Sequence, residues 1–338
     1  TIMARPGISG LAAALLYGTV SIAITFFNKA VLSVYHFGMP NLLTLIQMLF
    51  SLAFLVLAKR YRLIEYPDFD PALLKPMAPL AISFFLMVTT GLAALEFLNV
   101  PMFGALRRLT TLITMLSEMM LQGKPFVPRI ALPIMVMVIG AIVAGATDLT
   151  FSFVGYFLVF LNCIFTATYL VFINRLSKQT GLSTFGLLFY NNIMCVPLVA
   201  VTVLATGELP EMVTFPHWAR FDFLVCFVAS SSMAILLNYT IFLCTAVTSA
   251  LTTSVTGQVK TIVTTVVGLF IFGDVQITLS NVSGLSLGIL GSIWYSAIKY
   301  QEQAQRTASS ASKASEMMSP ATTPKPIDHT GDGVLKQR

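Results

Sequence analysis

The stretch SVTGQVKTIVTT, residues 254–265, carries Lys260 in an otherwise uncharged run. An ammonium group at the centre of a bilayer-spanning helix costs roughly 2.5 to 3.5 kcal/mol even on insertion scales. It therefore needs a partner or a water-filled cavity. Lys29, Glu96, Arg107, Arg108 and Glu118 also fall within apolar runs. Four of these six charges are basic, so the ligand they would hold is an anion. Lysine offers phosphate or carboxylate a point charge and arginine a bidentate fork. Lys260 lies about halfway along its run, out of snorkelling reach of either interface. Arg108 and Lys29 lie nearer a run's end and are candidates to assist it. Arg107 must point about 100° away from Arg108, so at most one of the two faces a cavity. Glu96 and Glu118, near run ends, read as snorkelling or locally paired. Gly257, one turn before Lys260, leaves room for a ligand beside the backbone. Gln258 and Thr261 add amide and hydroxyl groups there.

A second polar constellation is FGLLFYNNIM, residues 185–194. Consecutive Tyr190, Asn191 and Asn192 cannot share one helix face. An Asn amide suits the mixed donor and acceptor edge of a nucleobase or the hydroxyls of a sugar, and a Tyr ring can stack. Interhelical hydrogen bonding is the other common use of Asn in membranes. Asn238 and Tyr239 add the same chemistry from a later run. The four cysteines, Cys163, Cys195, Cys226 and Cys244, all sit in apolar runs without metal-ligand spacing. The sequence calls for no metal and no cofactor.

The elements that would position these groups are helices. The 338 residues are 56% hydrophobic and 10% charged, against about 25% charged for a soluble domain. Apolar runs recur along the whole length, which predicts an all-α membrane protein with ten transmembrane helices, near 8–34, 40–58, 76–98, 101–121, 130–147, 152–174, 183–206, 219–245, 248–272 and 278–298. Each can cross a core of about 30 Å. Lys59, Arg60, Arg62, Lys75, Lys124, Arg129, Arg175, Lys178 and Lys299 fall on one side, and Asp148, Glu208, Glu211 and Asp274 on the other, where only Arg220 is basic near the membrane. The positive-inside rule makes the basic side cytosolic, with both termini there. This placement, rather than the net charge of +6, argues against nucleic-acid binding.

TFFNKAVLS (25–33) and VFINRLSKQ (171–179) repeat F-x-N-basic, and LQGKP and IFGDV each place a charge after a Gly. Five helices followed by five similar ones must be inverted, because five is odd. That plan puts a carrier's site at the midplane between halves. The expected organisation is a cytosolic N-terminus over 1–7, a first half over 8–147, a second half over 148–300, and a disordered cytosolic tail over 301–338, rich in Ser, Ala and Thr. Gly140 with Ala144, and Gly284 with Gly288, are small-xxx-small pairs suited to packing between halves or to a homodimer.

Taken together, F-x-N-K (Phe26 to Lys29, including Asn28), NVPMFGALRRLT (99–110), F-Y-N-N (189–192) and SALTTSVTGQVKT (249–261) resemble the triose-phosphate and nucleotide-sugar translocator group of the drug/metabolite transporter superfamily. PDFD (67–70) and DLTF-x-x-x-GY (148–156) are similar to its UDP-sugar branch. The resemblance spans about residues 10–300. It implies a Golgi or endoplasmic-reticulum carrier that imports a UDP-sugar from the cytosol in exchange for UMP. Lys260 would hold the diphosphate, helped by Arg108 or Lys29. Tyr190, Asn191, Asn192, Asn238, Tyr239, Gly257, Gln258, Thr261 and Asn28 would surround base or sugar. F-Y-N-N also occurs in GDP-mannose carriers, which keeps a GDP-sugar open. Their G-A-L-N-K motif is matched here by Gly257 to Thr261, with Lys where they have Asn and Thr where they have Lys. Plastid phosphate translocators carry Lys-Arg at that point. Thr261 removes that second cation, which suits a sugar-capped diphosphate. A polyprenyl-phosphate-handling membrane enzyme is the rival from another class, since Asp68 and Asp70 lie together in a loop.

Overall fold

The computed structural model describes residues 9–98, 100–145, 152–272 and 279–318. Every regular element among them is helical. Helix α1 (Gly10–Lys29) continues into a π-helical turn, Ala30–Val34. Then come α2 (Pro40–Arg60), a 3₁₀ turn (Pro71–Leu73) leading into α3 (Leu74–Phe97), α4 (Val100–Leu106), α5 (Leu109–Gln122) and α6 (Pro128–Gly145). The remainder are α7 (Phe153–Gln179), α8 (Thr184–Thr206), α9 (Glu208–Thr214), α10 (Phe221–Val247), α11 (Ala250–Phe272) and α12 (Leu279–Met318).

Local sequence sets the helix ends. Ser9, Ser152 and Ser183 cap α1, α7 and α8, each accepting an amide three residues on. The cap satisfies an otherwise orphaned N–H. Gly123 (φ 64°) and Gly207 (φ 73°) end α5 and α8 in the left-handed conformation that lacks a Cβ penalty only in glycine.

Six helical runs, Gly10–Leu32, Pro40–Arg60, Pro71–Phe97, Phe153–Gln179, Thr184–Thr206 and Phe221–Val247, are long and apolar enough to cross a bilayer. Their outward residues are apolar: Leu15 is 62% exposed, Val201 63% and Leu204 65%. A surface of that kind belongs against lipid tails. The chain is a multi-pass membrane protein.

Two differences from the sequence reading matter. The predicted helix 101–121 is broken at Arg107–Arg108 into α4 and α5. The last helix runs to Met318, beyond the expected end of order at residue 300. Residues 1–7, the 147/148 boundary and residues 319–338 lie outside the described residues.

The chain forms two units, residues 1–296 and 297–338. In the first, α7 packs between α3 and α5, while α1 packs between α10 and α11. Helix α8 lies against α2 and α3. The main core gathers Leu55, Met77, Leu80, Tyr169, Leu187 and Phe242 from α2, α3, α7, α8 and α10. A second cluster, Val31, Phe37, Leu42, Leu43, Phe223 and Phe227, closes the end of the bundle where α2 begins. Between α6 and α12 the small residues are used face to face: a methyl on Gly140 would stand 2.7 Å from Gly284 O. That is the first of the two roles expected of them. In the second unit, Lys299 pairs with Glu302 at 2.9 Å.

Candidate functional site

The break between α4 and α5 borders the candidate site: Gly104 of α4 lies against Thr261 of α11. At Arg107–Arg108 the backbone tightens to i→i+3 bonds: Arg108 N–H donates to Ala105 O, Thr110 N–H to Arg107 O and Thr111 N–H to Arg108 O. The break contains neither Gly nor Pro. Neighbouring helices support it: Cys163 Sγ of α7 approaches Leu106 O at 3.8 Å, and Gln258 Nε2 of α11 donates to Arg107 O at 3.1 Å. Gln258 thereby ties the broken helix to α11.

The two arginines part at this break. Arg108 is 6% exposed. Its Nη1 donates to Gly284 O at 2.8 Å, and its guanidinium lies against Gly288. It is committed to the α12 backbone. Arg107 is half-buried, with its guanidinium 5.5 Å from the Phe103 ring centroid. Of the two side chains the sequence left open, Arg108 is the one bound to the α12 backbone and Arg107 the one lying over Phe103.

Lys260 is half-buried on α11, where α1 and α4 converge. A methyl on Gly257 would stand 3.2 Å from Tyr17 Oη, and one on Gly104 would stand 3.6 Å from Thr261 Cγ2. Glycine at 257 thus lets the Tyr17 hydroxyl reach the α11 backbone one turn from Lys260. Thr261 donates its hydroxyl back to Gly257 O at 3.0 Å.

Depth along the bundle follows from the contacts. Tyr17 beside Gly257 and Gly18 beside Thr256 set Lys260 level with residues 20–22 of α1. Thr245 Oγ1 on α10 donates to Thr253 Oγ1 on α11 at 3.0 Å. Because α10 and α11 form a hairpin, that sets Lys260 level with Asn238. Ser230 of α10 meets Asn28 of α1, which maps Asn238 back to the same stretch of α1. Both routes therefore agree. At this level lies Ser21, whose buried Oγ finds no hydrogen-bond partner among the described residues.

Asn28 stands about seven residues further along α1, roughly 10 Å at 1.5 Å per residue. Its Oδ1 accepts from Ser230 Oγ at 2.5 Å and from Gln47 Nε2 at 3.1 Å, while Gln47 Nε2 also donates to Ser230 Oγ at 2.9 Å. Lys29 follows at the last turn of α1, half-buried, just before the π-turn. Gln47 and Ser230 are absent from the sequence reading. An amide inside the apolar run of α2 was the available signal.

The F-Y-N-N residues are arranged otherwise. Tyr190 is fully buried. Its hydroxyl accepts Asp70 N–H at 2.8 Å and donates to Asp68 O at 3.3 Å, and its ring stacks on Phe69. It fastens the 61–70 loop to α8. Asn192 Nδ2 donates to Ser51 Oγ at 2.9 Å, and Asn191 Oδ1 accepts from Cys195 Sγ at 3.9 Å. All three side chains serve protein contacts. Tyr239 stacks on Phe185 at 4.7 Å, while Asn238 is half-buried.

The loop carboxylates are likewise occupied. Asp68 pairs with Lys59 at 2.7 Å, which holds its carboxyl below the usual carboxylate range. Asp70 caps the 3₁₀ turn through Ala72 N–H. Glu118 pairs with Lys124 at 2.8 Å, as its position near a helix end suggested. Glu96 is exposed on α3.

Lys260, the Thr261 hydroxyl and the Tyr17 hydroxyl lie together along the α1–α11 contact of a helical membrane protein. A basic group within a multi-pass bundle is a feature of membrane transporters. Comparison with known proteins is specific. The chain belongs to the Triose-phosphate Transporter family, whose model matches residues 10–296. It is a transporter and not an enzyme, which sets the polyprenyl-phosphate reading aside. It is 37% identical to the UDP-N-acetylglucosamine transporter UGNT1 of Arabidopsis thaliana, over 86% of this chain and 88% of that one. It is 34% identical to UDP-galactose/UDP-glucose transporter 7 of Arabidopsis thaliana, over 88% and 92%. A solved structure 15% identical in sequence shares the fold, with a TM-score of 0.61 over 86% of this chain and 96% of that chain.

Proposed function

We propose that the chain carries a UDP-sugar from the cytosol into the lumen of the Golgi or endoplasmic reticulum in exchange for UMP. The observation that carries the reading is the half-buried Lys260 on the glycine-relieved face of α11, one turn from Gly257 beside the Tyr17 hydroxyl and next to Thr261, which lies against Gly104 of the broken helix. Broken helices beside buried charge are a recurrent way for a carrier to build a midplane site. An ammonium without the second cation of a Lys-Arg pair suits a diphosphate that is already capped by a sugar. The substrates named for the relatives at 37% and 34% identity, UDP-N-acetylglucosamine, UDP-galactose and UDP-glucose, support the same class. The Asn28–Gln47–Ser230 network, about 10 Å from the level of Lys260 along α1, offers amide and hydroxyl groups to the base or sugar. Lys29, beside it, would meet the far end of the ligand. Asn238 and Tyr239, at the level of Lys260, remain candidates for the sugar.

Ten spans in two inverted halves are the plan that best fits the packing. The inverted plan pairs α1 with α7, α2 with α8, α3 with α10, and α4–α5 with α11. Exchanging partners in that way turns the α3–α7 contact into α10–α1, α5–α7 into α11–α1, and α3–α8 into α10–α2. Each of these contacts is present. Alternating access by rocking of the halves follows from that plan. The basic loops put both termini in the cytosol. The F-Y-N-N motif lends little to a GDP-sugar here, because Tyr190 and Asn192 are held by Asp70 and Ser51.

The test is exchange in liposomes preloaded with UMP or GMP, with a panel of labelled UDP-sugars and GDP-mannose outside. UMP-driven uptake of a UDP-sugar is expected. Uptake of GDP-mannose driven only by GMP sinks the UDP assignment.

A further inference from the structure

Two buried carboxylates lie outside the site, and each performs the same task at opposite ends of the bundle. Glu118, near the end of α5, is 5% exposed. Its Oε1 accepts Leu251 N–H at 3.3 Å, at the start of α11, and its Oε2 pairs with Lys124. Glu208, the first residue of α9, is 6% exposed. Its Oε2 accepts Leu42 N–H at 2.6 Å, and its Oε1 accepts Asn41 Nδ2 at 2.6 Å and Asn41 N–H at 3.4 Å, all at the start of α2. Each therefore supplies negative charge to the first turn of another helix, where free N–H groups and the macrodipole favour it.

Three features make these more than two unrelated caps. First, both cross the chain's midpoint: Glu118 reaches from the first half to α11, and Glu208 from the second half to α2. Second, each sits beside a left-handed glycine that turns the chain back on itself. Gly123 follows α5 with its N–H on Glu118 O, and Gly207 immediately precedes Glu208. Third, the two lie at opposite ends of α10. Phe223, near its start, shares a cluster with Leu42 and Leu43, whereas Thr245, near its end, meets Thr253 in the first turn of α11. Helix α10 has 27 residues, about 40 Å at 1.5 Å per residue.

We infer that Glu118 and Glu208 are a pair of bolts that open alternately. The Glu118 bolt closes the end carrying Lys124, and the Glu208 bolt closes the other. Both are shut here. Rocking the halves apart at one end must pull a carboxylate off the helix start that it caps, while the opposite cap stays made. The idea rests on the alternating-access reading above.

Hydrogen–deuterium exchange of the detergent-solubilised full chain tests it. Glu208→Gln weakens one bolt and should shift the population toward opening at that end. Amide exchange in the peptide holding Leu42 should speed up by about threefold or more, while exchange in the peptide holding Leu251 slows. Glu118→Gln should do the reverse. A cap with a purely local role would speed exchange at its own end and leave the other unchanged. That result, or loosening at both ends, overturns the inference. Should Glu208→Gln fail to fold, Asn41→Ala removes a partner of the same bolt and is read in the same way. UMP exchange is assayed on the same wild-type preparations. Exchange with only local hydrogen-exchange responses discards the bolts alone. An inactive wild type with reciprocal responses discards the UDP-sugar/UMP exchange reading alone.

Discussion

Replacing Tyr190 with Phe separates a structural tyrosine from a substrate contact. The substitution deletes Oη and keeps the ring stacked on Phe69 at 6.0 Å and against Phe189 at 5.5 Å. The strong bond from Asp70 N–H at 2.8 Å goes, and with it the weaker donation that the single hydroxyl proton shares between Asp68 O at 3.3 Å and Asp70 O at 3.5 Å. A hydrogen bond contributes about 0.5 to 1.5 kcal/mol net, so the loss is about 1 to 2 kcal/mol. An unfolding entropy of about 2.1 cal/mol/K per residue, over roughly 300 residues, converts this to a Tm drop of about 2 to 3 °C. The assay is thermal unfolding in detergent, paired with the KM for UDP-sugar exchange in liposomes. The account predicts the lower Tm with KM within about twofold of wild type. An unchanged Tm with a KM raised about tenfold refutes it and returns Tyr190 to the ligand.

Other predictions follow from single contacts. Gly291→Ala would set a methyl 2.6 Å from Met137 Cγ and 2.7 Å from Pro133 O, so it should destabilise by about 1 to 3 kcal/mol. Gly38→Ala, with nothing within 4 Å, should leave the melting curve unchanged. Arg108→Gln should lower stability by about 1.5 to 3 kcal/mol, because it breaks the buried bond to Gly284 O, and KM of the folded fraction should hold. Arg107→Gln should do the opposite, raising KM for the anionic substrate about tenfold with little change in Tm. Acid should loosen the 61–70 loop only mildly, since the Asp68 side chain is 99% exposed. Lys59 lowers the folded pKa of Asp68, so the pair's stabilisation is present above the unfolded value of about 3.9 and is lost as pH falls through the lowered folded value. Asp68→Asn should therefore reduce Tm slightly at pH 7, and progressively less as the pH falls below about 3.9.

The helices were legible because burial in lipid demands long apolar runs, and charge marks where they end. Most observed ends lie within a few residues of the expected ones. The break at Arg107–Arg108 was not legible, because it contains no Gly or Pro. It is held by Cys163 and Gln258, which lie 57 and 151 residues away. The same break sends Arg108 to the α12 backbone, and continuous-helix geometry supplied only the angle between the two arginines. Lys260 stands out in the sequence, since an ammonium that deep in a helix calls for a cavity. F-Y-N-N reads two ways in the sequence for a physical reason: a Tyr hydroxyl and an Asn amide satisfy a loop or a neighbouring helix as well as they satisfy a base. Only the partners, Asp70 and Ser51, distinguish the two uses. Glu208 read as a lumenal loop charge, and its place on the first turn of α2 depends on the αL turn at Gly207.

The central claim is that Lys260 holds the phosphates of the carried ligand. The most direct measurement is uptake of a labelled UDP-sugar into UMP-loaded liposomes by wild type, Lys260→Gln and Lys260→Arg, with folding of each checked by thermal unfolding. The account predicts exchange by wild type, loss of at least about a hundredfold for Lys260→Gln, and partial retention for Lys260→Arg, which keeps the charge. Wild-type exchange by Lys260→Gln would contradict it.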